Sequence, residues 1–437
     1  MAAVDAQASE PLLNESEGTT NEGAADTSAV KELNPKTIRA DFNGVPGALA
    51  ITIGLPILIY VLYYALDAVP EAKVFDLCAL EGYLIWFFGL VGLFYIVPGR
   101  VMDGTTLRDG TYLKYKMNGL NCFLVVLALL IARGFITHGE LPELVFVADH
   151  LLGLITASIG FSFVLALFVY FKSFGNPKTI LAYGGNTGKP IFDWFIGREL
   201  NPRIGMFDIK FFCELRPGLF LWVIINAAEA HLQYRKFGYI SDSMILINIF
   251  QFIYVVDSAV LEAKNLTMID ITTDGFGFML AFGDLALVPF TYTLQTRFLA
   301  THPVNLGWLG VAGIVALKVI GYYIFRSSNS EKNSFRQGDP SVAHLKYIET
   351  KSGSKLLISG WWGVARHINY FGDWLMSISW CVPTGFYTPV TYFYSLYFAI
   401  LLIHRESRDE AKCSEKYGDD WKEYKRIVRW KIIPYVY

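Results

Sequence analysis

The chain has 437 residues, of which 53% are hydrophobic and 16% aromatic, and a formal charge of −2. With a mean hydropathy of +0.37, lipid rather than water is the expected solvent of most of it. Lys and Arg form clusters but no dominant patch, so sequence-independent binding to nucleic acid phosphates is not indicated. The five cysteines, Cys78, Cys122, Cys213, Cys381 and Cys413, contain no C-x-x-C pair, and neither a metal site nor a disulfide framework is expected.

Residues 1–40 are rich in Ala, Ser, Glu, Asn and Gly and read as a flexible tail. The chain does not open on a basic stretch with a short apolar run behind it, so the first span, near 45–66, serves as the insertion signal. Crossing roughly 30 Å of hydrocarbon takes about 20 mostly apolar residues. Such windows occur at 45–66, 76–98, 119–136, 150–172, 217–234, 244–262, 274–299, 306–325, 371–387 and 389–404. The predicted fold is therefore an all-α polytopic integral membrane protein of about ten spans, one domain over 41–437 with no internal repeat. The window 274–299 holds Asp284, Pro289 and three glycines and reads as a broken or partly re-entrant span.

Basic residues recur in alternate loops: Lys31, Lys36 and Arg39, then Arg100, Arg108, Lys114 and Lys116, then Lys172, Lys178, Lys189 and Arg198. The intervening loops carry Asp67 and Glu71, or Glu140 and Glu143, while 326–355 and the tail after His404 are again basic. By the positive-inside rule both termini face the cytosol. The sequon Asn265-Leu266-Thr267 falls on that same side, so no glycan is expected on it.

An ionisable side chain inside a span costs roughly 2.5–3.5 kcal/mol on insertion scales and is a functional candidate by default. In the sixth window Tyr254 and Asp257 are three apart on one helical face, with Gln251 one turn earlier. A phenol recharged by a carboxylate in a dry pocket can protonate an alkene; the alternative is a hydrogen bond that pins helices together. Glu262, about 80° around the helix from Tyr254, is expected to face a headgroup or loop. Asp270, Asp274 and Asp284 lie beside glycines, which suits a cavity wall or a close helix pair with Asp274 as a cap. Glu229, His231 and Lys318 are expected to pair or snorkel. Two nucleotide motifs fail: GFGFML at 275–280 has Leu280 where the third glycine belongs, and GGNTGKP has Tyr183 and Pro190 at two required positions.

Toward the C-terminus, EKNSFRQG places Lys332 and Arg336 four apart, a point charge and a fork suited to one phosphate, or simply a solvated basic loop. The stretch SGWWGVARHINYFGDW at 359–374 concentrates Trp361, Trp362, Arg366, His367, Asn369, Tyr370 and Asp373, groups that stack on a flat ring or hydrogen-bond an amide. In LLIHRESRDEAKCSEKYGDDWKEY, Arg405 and Asp409 are at i, i+4, and Tyr417, Trp421 and Tyr424 share a face if that segment is helical. An amphipathic interfacial helix would give the same aromatic and basic mixture.

The segments NPRIGMFDIKFFCELRPGL, MIDITTDGFGFMLAFGDLALVPFTYTLQTRFL, LLISGWWGVARHINYFGDW and HRESRDEAKCSEKYGDDWKEY, with the ending IIPYVY, resemble the Δ14-sterol reductase branch of the sterol reductase family in its fungal form, over about 40–437. The resemblance implies ten helices in the endoplasmic reticulum membrane. About 41–300 would form a sterol cavity entered from the bilayer, and about 300–437 would bind NADPH. It implies nucleotide contacts at Lys332, Arg336, Trp362, Asn369, Tyr370, Arg405, Asp409, Tyr417 and Tyr424, and matches Tyr254 to a family tyrosine in the reaction cavity; Tyr254 and, on proximity alone, Asp257 are the catalytic candidates. The expected reaction protonates C15 of a Δ8,14 sterol, and the tertiary cation left at C14 accepts hydride from NADPH. Rival readings are another sterol double bond (Δ7 or C24(28)), an isoprenylcysteine-type membrane methyltransferase, a non-catalytic sterol-binding scaffold, and a transporter, the last weakened by the lack of repeats.

Overall fold

The computed structural model describes residues 33–38, 40–66 and 72–437. Lys31, Arg39, Asp67, Glu71 and most of the tail assigned to 1–40 lie outside the described residues. Among those described, eight helices are long and apolar enough to cross a membrane, and the chain is a mostly helical, polytopic membrane protein. They are α1 (Val45–Ala65), α2 (Leu77–Ile96), α3 (Gly119–Ile136), α4 (Leu151–Lys172), a fifth over Ile209–Phe237 whose main part is α5 (Pro217–Phe237), α6 (Asp242–Val260), α7 (Phe278–Thr301) and α8 (Gly307–Gln337). The windows 371–387 and 389–404 become α9 (Ile368–Cys381), whose 14 residues are short for a span, and α10 (Phe393–Tyr417), whose second half is charged; α11 (Asp419–Ile427) follows.

Both interrupted spans have a local cause. The fifth breaks at Arg216, whose φ of −126° and ψ of −72° are not helical, just before Pro217, which has no N–H to continue the ladder. The seventh is broken as expected. A π turn over Gly283–Leu287 widens the helix around Asp284, and Pro289 follows at the head of the next short piece.

The chain divides into two compact units, one running to Tyr239 with Asn248–Thr301, the other Ile240–Ile247 with His302–Tyr437. In the first, the rings of Phe87, Phe94, Phe161, Phe207 and Phe212 pack edge-on or tilted with centroids 4.5–6.4 Å apart. The loop between α2 and α3 is an antiparallel hairpin of Arg100–Thr106 with Tyr112–Met117. Residues placed in the tail on composition are ordered here: Asn34 donates to Thr179 O and accepts from Leu181 N, at 2.9 and 2.8 Å.

Glu262 corrects its expectation. It follows the end of α6, is 5% exposed, and accepts from Arg216 Nη2 at 2.5 Å and from Gly119 N at 2.8 Å. Local helix geometry pointed it at a headgroup or loop, but its partners are 46 and 143 residues away in the chain.

In the second unit α8 and α9 cross where Gly321 faces Gly372. A Cβ on Gly372 would stand 2.7 Å from Gly321 O and 2.7 Å from Phe325 N, so only two glycines allow the backbones this close. Gly372→Leu is therefore expected to lose stability at or beyond the upper end of the roughly 1–3 kcal/mol seen for overpacked cores. Thermal melting of the detergent-solubilised protein measures this, and an unchanged midpoint would show that the crossing has room for a side chain.

The segment after Arg405 is not one helix. Gly418 takes a φ of +53° and separates α10 from α11. Tyr417, Trp421 and Tyr424 still converge, because the turn folds α11 back so that all three bury with Val428 against Ile348 and Leu356 of the short hairpin Tyr347–Glu349 with Lys355–Leu357, and against Ile358 just after it.

Candidate functional site

Tyr254 belongs to a packed polar wall in the first unit. Its ring lies 5.5 Å from that of Trp222, which is fully buried, and the ring of Trp222 also meets that of Tyr292 at 5.3 Å. The indole N–H of Trp222 donates to Gln251 Oε1 at 2.8 Å, and Asn226 Nδ2 donates to the same oxygen at 2.6 Å. Gln251 Nε2 in turn donates to Tyr292 O at 3.1 Å, and Thr296 Oγ1 to Asn226 Oδ1 at 2.7 Å. Helices α5, α6 and α7 are thus locked by side chains whose polar atoms are spent on one another. Lipid offers no competing water, so such bonds hold the rings in place. Asp257 is half-buried, three residues further along α6.

The loop GGNTGKP has a different use from phosphate binding. Asp193 fills it from within, accepting from Thr187 N at 2.9 Å, Thr187 Oγ1 at 2.6 Å and Gly188 N at 3.0 Å. Backbone donors that would cradle a phosphate already hold a carboxylate.

In the second unit the C-terminal candidates lie on α8, the short helix Trp361–Val364, α9, α10 and α11. Lys332 and Arg336 stand one turn apart on α8, and Lys332 Nζ is 4.1 Å above the ring of Trp362. Trp362 is fixed by its own N–H, which donates to Ser328 O at 2.8 Å. Asn369 on α9 donates to Asn329 of α8 at 3.3 Å, and its Oδ1 is buried and has no partner among the described residues. Tyr370 stacks on His367 at 4.8 Å and donates from its hydroxyl to Asp409 Oδ2 at 3.3 Å, with the Arg405 guanidinium 5.8 Å from its ring. Tyr417 and Tyr424 belong to the neighbouring aromatic cluster about Trp421, where burial pushes the Tyr424 phenol above its ordinary range and keeps it neutral. Arg366 ties that cluster to the rest by donating to Val428 O at 2.8 Å.

A family model described as the ergosterol biosynthesis ERG4/ERG24 family matches residues 60–437. The chain belongs to this family. Among similar members of the ERG4/ERG24 family, a protein named Delta(14)-sterol reductase ERG24 from Candida albicans is 52% identical, the match covering 93% of this chain and 99% of that one. Its namesake from Saccharomyces cerevisiae is 48% identical over 93% of this chain and 100% of its own length. A Delta(14)-sterol reductase from Ascobolus immersus is 50% identical over 84% and 87%.

Several residues of the candidate site in this ERG4/ERG24 member carry little signal in the sequence. Trp222, Asn226 and Thr296 carry ordinary helix-packing side chains, and only their convergence on Gln251 gives them a role. Asn329 offered one usable signal, a polar residue one turn before Lys332 on a face that also carries Arg336.

Proposed function

We propose that this protein reduces the C14–C15 double bond of a Δ8,14 sterol in ergosterol-type biosynthesis with NADPH as reductant. The similarity at 48–52% identity to fungal proteins named Delta(14)-sterol reductase, over nearly the whole of both chains, carries this reading. We place it in the endoplasmic reticulum membrane with both termini cytosolic and its sterol entering from the bilayer.

The residues of the second unit fit a phosphorylated nicotinamide nucleotide. Lys332 and Arg336 offer a point charge and a fork to a 2′-phosphate. Trp362 and Tyr370 supply flat faces, Asn369 keeps a buried acceptor unused, and Arg405 and Asp409 frame Tyr370. Tyr417 and Tyr424 close the set from the cluster under the hairpin. NADPH, when bound, supplies the hydride that ends on C14. Tyr254 delivers the proton to C15 and Asp257 recharges it. The network through Gln251 fixes Trp222, against which the Tyr254 ring packs, and exclusion of water protects the tertiary cation.

Sterol profiling of cells lacking the protein tests the assignment. Accumulation of Δ8,14 sterols is the expected result, with restoration by the wild-type gene. Accumulation of Δ7 or C24(28) species instead would move the chain to another branch.

A further inference from the structure

Asn369 and Asp373 are four residues apart on α9, hence on one face with Cβ atoms about 5–6 Å apart. Asn369 uses its amide N–H on Asn329, and its Oδ1 receives no hydrogen bond among the described residues. Asp373 Oδ2 is also buried without a donor among the described residues. The neighbouring cation, Lys318, is three residues before the Gly321 crossing on α8. Its ammonium rests 4.9 Å above the ring of Trp380, and Asp373 Oδ2 accepts no hydrogen bond from it. Buried acceptors of this kind are costly to leave unmet, and two of them on successive turns of one helix face point to a missing donor group.

Position selects the donor. From Lys332 back to Gly321 is 11 residues, about 16 Å along the axis of α8. Asn369 meets α8 at Asn329 and Asp373 follows Gly372 at the crossing, so polar groups descend in order from the cation pair to the two free oxygens. A dinucleotide held by its 2′-phosphate at Lys332 and Arg336 and laid along this row brings its ring end to Asn369 and Asp373. That ring carries a carboxamide, whose single nitrogen presents two N–H donors.

We propose that Asp373, with Asn369, binds the carboxamide N–H₂ of the nicotinamide and so sets the ring's orientation, a role that rests on the nucleotide site proposed above. Asp373 is then a positioning residue that selects for the amide.

Three probes measured by equilibrium binding to the purified full-length protein test this: NADPH, 2′-phospho-ADP-ribose, which lacks the ring, and the reduced 3-acetylpyridine analogue, which keeps ring and riboses but lacks the N–H₂. Wild type is expected to prefer NADPH over the acetylpyridine analogue. Asp373→Ala should weaken NADPH roughly tenfold, erase that preference and leave 2′-phospho-ADP-ribose unchanged; the last result also certifies folding. The double variant Lys318→Met with Asp373→Leu, which leaves no lone buried ammonium, should behave alike. An Asp373→Ala protein that keeps both NADPH affinity and the preference would show that the two oxygens hold only water. Equal losses for NADPH and the analogue would assign them to the ribose instead, and either result overturns the proposal. Lys332→Ala separates the two layers: it should weaken NADPH and 2′-phospho-ADP-ribose together, and wild-type binding of both would remove the nucleotide site itself.

Discussion

Tyr254→Phe is expected to lower sterol turnover by about 10²–10⁴-fold, the range of a lost general acid, while the affinity for NADPH stays at the wild-type value. The substitution removes one oxygen and keeps the ring, so the contact with Trp222 at 5.5 Å and the network behind it remain. A loss confined to the rate would therefore report chemistry rather than packing. Single-turnover assays on reconstituted protein give the rate, and nucleotide titration of the same sample gives the affinity. Turnover within a few-fold of wild type would take Tyr254 out of the reaction and leave it as the ring that wedges Trp222. If Asp257 recharges the phenol, Asp257→Asn should slow repeated turnover more than the first turnover.

The spans were readable because lipid imposes a simple demand, about 20 apolar residues in a helix that meets its own hydrogen bonds. Pro289 and Asp284 flagged the interruption of α7 for the same reason, since neither suits an unbroken span, and the π turn at Gly283–Leu287 is the physical form it takes. The C-terminal cluster was legible as composition: Trp362, Asn369, Tyr370, Arg405 and Asp409 do fall within one unit. Its internal arrangement was not. The break at Gly418 depends on one left-handed residue, yet the face formed by Tyr417, Trp421 and Tyr424 survives it because burial under the hairpin, not helix periodicity, brings the rings together. Glu262 was misjudged because periodicity describes where a side chain points along its own helix and carries no information about Arg216 or Gly119.

That same pair should be the most sensitive point for stability. Arg216 is 1% exposed, with its guanidinium 5.1 Å from the ring of Phe94 and 5.7 Å from that of Phe212. It donates to Glu262 at 2.5 Å and to Asn118 Oδ1 at 3.0 Å. Glu262 in turn reaches the first N–H of α3 at Gly119, where an added Cβ would stand 2.9 Å from Glu262 Oε1. One ion pair thus fastens the break in the fifth span to the end of α6 and the start of α3. Removing one partner strands the other as a buried charge, which costs about 3–5 kcal/mol, whereas removing both charges together is often near neutral. Arg216→Ala is accordingly expected to abolish or sharply reduce recoverable folded protein, seen as loss of the monodisperse peak and a lowered melting temperature in detergent. Arg216→Met combined with Glu262→Gln, which keeps an oxygen for the Gly119 N–H, should recover most of the stability. A double variant no better than Arg216→Ala would mean that the guanidinium's packing against Phe94 and Phe212, rather than the stranded carboxylate, dominates the loss.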